Sequence, residues 1–434
     1  MKNKIYIGSI QINNYASFFG ENQFNLCDDN GYVYQWTIIL GNNNSGKTNF
    51  LKAIADLEPY KLKVRDKEQQ ELEDICTPIN IVREKNAIKN KKGTKNGYIG
   101  CSLFYIPDSA DKTVFEKKLI EFEPKNKNPN RQAWGYSPGS VFQSGNYSFL
   151  QDMKIFGYGV SRHYGESTLS QKDEIENSTT LFDSNKPLVN LEEWLLQLDY
   201  ASKNNDKIAE KRLKKLKELI KSEIFPEINN IRFISAETKN YVEFQTLDGW
   251  YKLKDLGYGY QTTLSWLFDL SKKLFERYPD SINPLKEPAI VLIDELDLHL
   301  HPHWQRLIIK YLSDIFIQTQ FIVTTHSPFI IQSIEKINLF ILVKSNKIVK
   351  VNRISHKTFK GWSIEEILDE LLELGDKTKS DEYLALLKQF DDGLDSNNYN
   401  KAFAAYKQLM EILHPTSPER KLLKVQLSQL VSND

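Results

Sequence analysis

The sequence GNNNSGKT at residues 41–48 follows the apolar stretch YVYQWTIIL at residues 32–40 and leads into a helical pattern at 47–57. These eight residues match G-x-x-x-x-G-K-[ST] at every fixed position. A strand, a glycine-containing loop and a helix, in this order, are the context that a phosphate-binding loop requires. We therefore expect the loop N–H groups and the helix N-terminus to bind phosphate.

The side chains of this loop have predicted roles. Lys47 is expected to neutralise the β- and γ-phosphates of ATP, and Thr48 to bind Mg²⁺. A chance match is the alternative, and the flanking strand and helix disfavour it. The predicted ATP-binding residues of the loop are Gly41, Asn42, Asn43, Asn44, Ser45, Gly46, Lys47, Thr48 and Asn49.

A second motif, IVLIDE at residues 290–295, is an apolar strand that ends in two carboxylates. Asp294 is expected to hold Mg²⁺ through water, and Glu295 to polarise the attacking water. Such strand ends are common, and this one gains meaning from its pairing with the phosphate loop. Glu295 and Lys47 are therefore predicted catalytic residues, and Thr48 and Asp294 are the predicted metal ligands.

His326 follows the next apolar strand, at residues 321–325. A histidine at this position suits a sensor that hydrogen-bonds the γ-phosphate or the lytic water. By itself, such a residue would be read as a surface histidine at a strand end. With the two preceding motifs present, we predict that His326 is catalytic.

Composition limits the class of protein. The 434 residues contain 57 Lys and Arg against 57 Asp and Glu, and 40% of them are hydrophobic, which is typical of a globular protein rather than a highly basic nucleic-acid binder. Three scattered cysteines do not predict a disulfide framework. The first residues lack the apolar core of a signal peptide, and no stretch has the roughly 18 apolar residues of a membrane span. We expect a cytoplasmic protein.

The chain is predicted to contain an α/β head interrupted by an insertion. Residues 1–60 form the phosphate-loop part, 61–145 a basic, loop-rich insertion, and 146–356 the rest of the head. The last of these includes a short helical arm at 190–225. Residues 357–434 show four short amphipathic helical patterns, which predict an all-helical domain for partner binding or oligomerisation.

The order of phosphate loop, Asp-Glu strand and histidine, with DLGYGYQ at residues 255–261, resembles the ABC-type ATPase heads, and more narrowly the soluble SMC, RecF and OLD-like ATPases. The resemblance implies a P-loop head with a mixed sheet flanked by helices. It also implies that two heads enclose ATP, with the signature segment of one closing over the phosphate loop of the other. Gly259 matches the central signature glycine. Gly257 replaces the usual serine, which is compatible with slow hydrolysis.

Three further segments carry weaker expectations. DLHLHPHWQ at 297–305 resembles the loop near the dimer seam in this group, and a three-histidine zinc site is the alternative. FGYGVSR at 156–162 resembles another recurrent segment of this group, which implies that Arg162 senses the nucleotide or the partner head. The alternative is that the segment is only a glycine-rich connection between a strand and a loop. Gln143 and Gln151 are weak candidates for a glutamine lid.

The C-terminal helices resemble the tail of defence-system ATPases of the Septu PtuA type, including those of retron systems. That resemblance implies an oligomeric antiphage ATPase that controls a separate HNH nuclease of the PtuB kind, and we see no nuclease motif in this chain. The alternative is a RecF-like repair ATPase that contacts DNA through the basic stretches 83–95 and 207–221. A transporter subunit is disfavoured by the insertion, the altered signature and the helical tail.

Overall fold

The computed structural model divides into two compact units, Met1–Gly361 and Trp362–Asp434. No helix in the described part of the chain is both long enough and apolar enough to cross a membrane. The residues that the structure describes are 4–62, 75–78, 98–106, 116–125, 133–136, 152–165, 177–235, 240–345, 348–354, 358–372 and 379–431.

Strands and helices are numbered in chain order. The strands are β1 (Lys4–Tyr15), β2 (Phe18–Asn25), β3 (Trp36–Gly41), β4 (Pro59–Leu62), β5 (Ile75–Pro78), β6 (Tyr98–Ile106), β7 (Glu116–Lys125), β8 (Ala133–Tyr136), β9 (Ile155–Tyr158), β10 (Asn230–Ser235), β11 (Asn240–Thr246), β12 (Gly249–Lys252), β13 (Ala289–Ile293), β14 (Thr319–Thr324), β15 (Asn338–Ser345) and β16 (Ile348–Ile354). The helices are α1 (Lys47–Ala55), α2 (Thr179–Phe182), α3 (Leu191–Lys203), α4 (Lys207–Ile220), α5 (Tyr258–Arg277), α6 (Pro302–Gln305), α7 (Ile308–Ile315), α8 (Pro328–Ser333), α9 (Ile364–Leu372), α10 (Asp381–Asp395), α11 (Tyr399–Ile412) and α12 (Pro418–Val431).

A six-stranded sheet forms the centre of the first unit, in the order β16-β15-β3-β14-β13-β9. All neighbours pair in parallel except β15 and β16, which form an antiparallel hairpin. Every residue of β3, β13 and β14 is buried, which is typical of the central strands of a parallel sheet and explains their mostly apolar sequences. Because these three strands are parallel neighbours, the loops that follow them meet at one edge of the sheet.

A second sheet, β2-β1-β6-β7-β8, is antiparallel and lies against the first. Helix α1 contributes Phe50 to the buried cluster between them, where its ring lies 4.2 Å from that of Phe24. The buried amide of Gln320, on β14, exchanges two hydrogen bonds with the backbone of Ile7 on β1, at 2.9 and 2.8 Å. These bonds explain a polar residue inside an otherwise apolar strand, since they satisfy its amide within the core.

The helical arm consists of α3 and α4, which are followed by the three-stranded sheet β10-β11-β12. Asn190 caps α3 by accepting a hydrogen bond from the N–H of Glu193 at 3.1 Å. Asp206 caps α4 by accepting from the N–H groups of Ile208 and Ala209. The second of these caps lies in the short turn between the two helices.

The second unit contains α9 to α12. Ser363 and Glu366 form a reciprocal capping box at the start of α9. Helices α10, α11 and α12 share a buried cluster of their own that includes Phe390 and Leu409. A Cβ at Gly393 would meet the backbone nitrogen of Ala402 at 2.6 Å, so glycine is required for this close approach of α10 and α11.

The sequence interpretation was wrong about part of the segment 61–145, which was expected to be loop-rich. Strand β6 lies in this segment and pairs with β1 from Tyr98 to Ile106, so it belongs to the head's own antiparallel sheet. The buried alternation of Ile99, Cys101 and Leu103 carries the strand signal, but the surrounding Lys- and Asn-rich sequence obscured it. The Lys-rich stretch 83–95 lies outside the described residues.

One strand boundary also differs from the sequence expectation. Strand β3 begins at Trp36 rather than at residue 32, because Val33 instead forms an isolated bridge with Cys27. Helix α5 begins at Tyr258, within the segment DLGYGYQ at residues 255–261. The predicted architecture, a mixed sheet flanked by helices with a helical C-terminal region, is confirmed.

Candidate nucleotide site

The phosphate loop connects β3 to α1, as its sequence predicts. Lys47 is buried, and its ammonium group donates hydrogen bonds to the carbonyl oxygens of Gly41 at 2.7 Å and Asn42 at 3.2 Å. Burial lowers the pKa of Lys47, and the nearby carboxylates of Asp294 and Glu295 partly oppose this shift. The side chain of Lys47 is therefore held against the backbone of the phosphate loop.

Backbone conformation explains both fixed glycines of the loop. Gly41 and Gly46 have φ angles of +147° and +101°, and a Cβ on Gly46 would meet the hydroxyl of Ser17 at 2.4 Å. The hydroxyl of Ser45 is buried and has no hydrogen-bond partner among the described residues. A phosphate oxygen is a suitable acceptor for such an orphaned hydroxyl, so the loop fits an anionic ligand.

The two carboxylates follow β13 directly. Asp294 is buried, and its two oxygens accept hydrogen bonds from the hydroxyl groups of Thr48 and Thr324, both at 2.6 Å. The oxygens of Thr48 and Asp294 are hard ligands of the kind that Mg²⁺ prefers, so these residues fit the predicted metal site. Glu295 has the left-handed φ angle of +51°, and its N–H donates to the Thr324 hydroxyl at 2.7 Å.

His326 lies just beyond β14 and close enough to Lys47 and the carboxylates to respond to their charge. Its pKa is lowered, first by burial and then by Lys47, whereas Asp297, Glu295 and Asp294 act in the opposite direction. A lowered pKa keeps the imidazole neutral at physiological pH. Its Nε2 atom is buried without a hydrogen-bond partner among the described residues, as expected of a group that serves a ligand.

The segment predicted to be the signature lies at the N-terminal end of α5. Gly257 is the N-cap residue, with no side-chain cap among the described residues, and Gly259 lies in the first turn. A Cβ on Gly259 would meet the carbonyl oxygen of His299 at 2.4 Å, and the rings of Tyr258 and His299 contact edge to face at 4.6 Å. The close approach of the loop at 297–301 therefore requires a glycine at position 259.

Sequence reasoning did not single out Thr324 or Gln305. Thr324 connects Asp294 to the backbone of Glu295, as described above. Gln305 donates to the carbonyl oxygens of Asp297 and Leu300, and it accepts from the hydroxyl of Ser327 at 2.6 Å. It therefore joins the loop at 297–301 to the turn that follows His326. The threonines in VTTHS, immediately before His326, were the available signal.

Other predicted residues lie elsewhere or are not described. Gln143 and Gln151 lie outside the described residues, so the glutamine lid stays a prediction. Arg162 lies beside Asp294 and Glu295. On α4, Arg212 donates to the carbonyl oxygen of Phe275 and Lys217 lies over the ring of Phe233. The exposed lysines of this helix are Lys207, Lys211 and Lys214, and Lys221, the residue after the helix, is exposed as well.

The elements of a nucleotide site therefore meet at one sheet edge, and a family model agrees. Residues 161–331 match the family described as the AAA ATPase domain. The matched range contains Asp294, Glu295, His326 and both signature glycines. The phosphate loop precedes it.

Two curated relatives are similar to parts of the chain. Over 207 residues the chain is 35% identical to the Septu protein PtuA of Bacillus thuringiensis, a match that covers 46% of this chain and 52% of that protein. Over 144 residues it is 37% identical to the retron Ec83 probable ATPase of Escherichia coli, covering 33% of this chain and 26% of that protein. The chain thus spans about half of the first relative and about a quarter of the second.

Among solved structures, an SMC head bound to the C-winged helix domain of ScpA aligns with a TM-score of 0.48 and 16% identity, over 81% of this chain and 98% of that one. The family match and the named relatives support the predicted resemblance to a soluble ATPase of the PtuA type. They also support nucleotide binding and ATPase activity.

Proposed function

We propose that this chain is the ATP-binding and ATP-hydrolysing subunit of an antiphage defence complex. Two heads would close around ATP, and their state would control a separate HNH nuclease that docks on the C-terminal helices. The observation that carries the ATPase part is the meeting of Lys47, Asp294, Glu295 and His326 at one edge of the parallel sheet. The similarity to a Septu protein and a retron ATPase supports the defence role.

The described residues suggest how hydrolysis would proceed. Lys47 would bind the β- and γ-phosphates, and the neutral imidazole of His326 would hydrogen-bond the γ-phosphate or the attacking water. Glu295 would accept a proton from that water as the bond to the γ-phosphorus forms and the bridging oxygen leaves on ADP. Thr48 and Asp294 would hold Mg²⁺, which supplies positive charge to the phosphate oxygens when it is bound.

The proposal predicts that Glu295→Gln binds ATP but turns it over at least about 100-fold more slowly, because the glutamine amide cannot accept the water proton. The slow variant is expected to accumulate as an ATP-bound dimer. Native mass spectrometry of tagged Glu295→Gln, purified from its host with ATP and Mg²⁺, would report both nucleotide and partners. Lys47→Ala is the control, and it is expected to lack nucleotide and to remain undimerised.

The masses of the complexes in the native mass spectrum would decide between two functions, the defence complex and DNA repair. A second protein with the mass of a small nuclease supports the defence complex. A dimer that carries DNA without a second protein would replace it with a RecF-like repair function, which the exposed lysines of α4 favour. Wild-type turnover in Glu295→Gln would contradict the role assigned to this carboxylate.

A further inference from the structure

Arg162 is a buried cation that approaches the catalytic carboxylates from the strand beside them. It follows β9, whose last residue, Tyr158, pairs with Ile293 and accepts a hydrogen bond from the N–H of Asp294 at 2.8 Å. The side chain of Arg162 is only 3% exposed. A guanidinium buried to this extent is costly unless its environment uses the charge and the donors.

The donors of Arg162 are directed at backbone rather than at a carboxylate. Its Nη2 atom donates to the carbonyl oxygen of Glu295 at 2.6 Å and to that of Asp294 at 3.2 Å. Its Nε is buried without a partner in the described part of the chain, and no ion pair there joins Arg162 to a carboxylate. The guanidinium therefore contacts the two residues that carry the chemistry through their main chain.

The residue that Arg162 contacts most closely has an unusual backbone. Glu295 has a φ angle of +51°, a region that residues with a Cβ adopt at a cost of about 1–2 kcal/mol. Its N–H is held by the hydroxyl of Thr324 and its carbonyl by Arg162. Glu295 is thus fixed by one side chain on each side of its Cα, from the strands on either side of β13.

We propose that Arg162 is a positioning residue that locks the backbone of Glu295 in its left-handed conformation and so aims the carboxylate. The inference rests on the proposed ATPase function, in which Glu295 accepts the proton of the attacking water. Arg162 acts on the reaction through Glu295, to whose carbonyl oxygen it donates the shorter of its two hydrogen bonds. Burial lowers the pKa of Arg162 to about 10, so that it remains a cation at physiological pH.

The experiment measures ATP turnover and binding of a fluorescent ATP analogue for Arg162→Met, Arg162→Lys and the wild type. Arg162→Met removes the donors while keeping an apolar chain of similar length. We expect the dissociation constant to change by less than about threefold and kcat to fall by about 30-fold or more. Arg162→Lys should recover part of kcat, since an ammonium can donate to one of the two carbonyl groups.

The matched control is Arg212→Met, which also removes an arginine that donates to a backbone carbonyl, but on α4. It is expected to leave kcat unchanged. Thermal unfolding of each variant verifies that the proteins are folded. Arg162→Lys keeps the test available if Arg162→Met does not fold.

A double variant separates positioning from general damage. If Arg162 acts through Glu295, Arg162→Met should slow single-turnover hydrolysis no further once Glu295→Gln is present. Multiplicative losses, an unchanged kcat, or a loss of nucleotide binding as large as the loss of kcat would each overturn the inference. An inactive wild-type protein would overturn the proposed function as well, whereas an active wild type with an unaffected Arg162→Met overturns only the inference.

Discussion

Thr324 joins the carboxylate of Asp294 to the backbone of Glu295. Its hydroxyl donates to Asp294 and accepts from the N–H of Glu295, and the residue is fully buried. Thr324→Val leaves that N–H and one carboxylate oxygen without their partner, which costs about 1–3 kcal/mol per group in a buried site. We expect Thr324→Val to lower the free energy of unfolding and to reduce kcat by about tenfold or more.

Thr319 on the same strand provides a matched control. It is also buried, but its hydroxyl has no hydrogen-bond partner among the described residues. Thr319→Val should therefore leave stability unchanged or raise it, with no effect on kcat. Chemical denaturation and ATP turnover of the two variants check this pair. Equal losses of stability would show that the hydroxyl bonds of Thr324 contribute nothing beyond packing.

At the scale of elements, the start of α5 and the loop at 297–301 behave as one packed structure. Gly259→Ala would place a methyl group 2.4 Å from the carbonyl oxygen of His299, so helix or loop must move. We expect a loss of about 1–3 kcal/mol in the free energy of unfolding and a weaker ATP-dependent dimer. Thermal unfolding and size-exclusion chromatography of the variant with ATP would measure both effects.

Gly257 is the control position in the same segment. A Cβ there has no neighbour closer than 3.8 Å, and the φ angle of −55° suits any residue. Gly257→Ser should therefore fold normally and gain a helix cap. It also introduces the serine that is usual in the signature that this segment is predicted to resemble, so faster ATP turnover is its expected effect on activity. Strong destabilisation of Gly257→Ser would contradict the packing described here.

The sequence predicted the features that depend on residues close to one another in the chain. The phosphate loop, the buried strand before Asp294 and the helix caps follow from neighbouring residues, because each pattern is complete within a few positions. Contacts such as Gln305 with Ser327, or Arg162 with the Glu295 carbonyl, join residues that are distant in sequence. Strand β6 was missed because its pairing with β1 outweighs the polar sequence around it. The contacts of Gln305 and Arg162 have no local pattern in the sequence.

On the scale of the whole molecule, the second unit has its own buried cluster and also displays apolar side chains. On α12, Leu422 and Val425 are 58% and 57% exposed. They are three residues apart, so they lie on one face of the helix, while Leu423 and Leu427 point into the unit's core. Exposed apolar residues grouped on one face favour a protein partner.

If the proposed nuclease docks on this face, Leu422→Glu combined with Val425→Glu should abolish its recovery with the tagged protein. ATP turnover should remain at the wild-type rate, because the substitutions lie outside the unit that contains the nucleotide site. Ile282→Glu is the control, since Ile282 is an apolar residue of the first unit that is 97% exposed. Affinity purification followed by mass spectrometry compares the two. Retention of the nuclease by the double variant would place the docking surface elsewhere, and its loss from Ile282→Glu as well would show that added charge alone disrupts the complex.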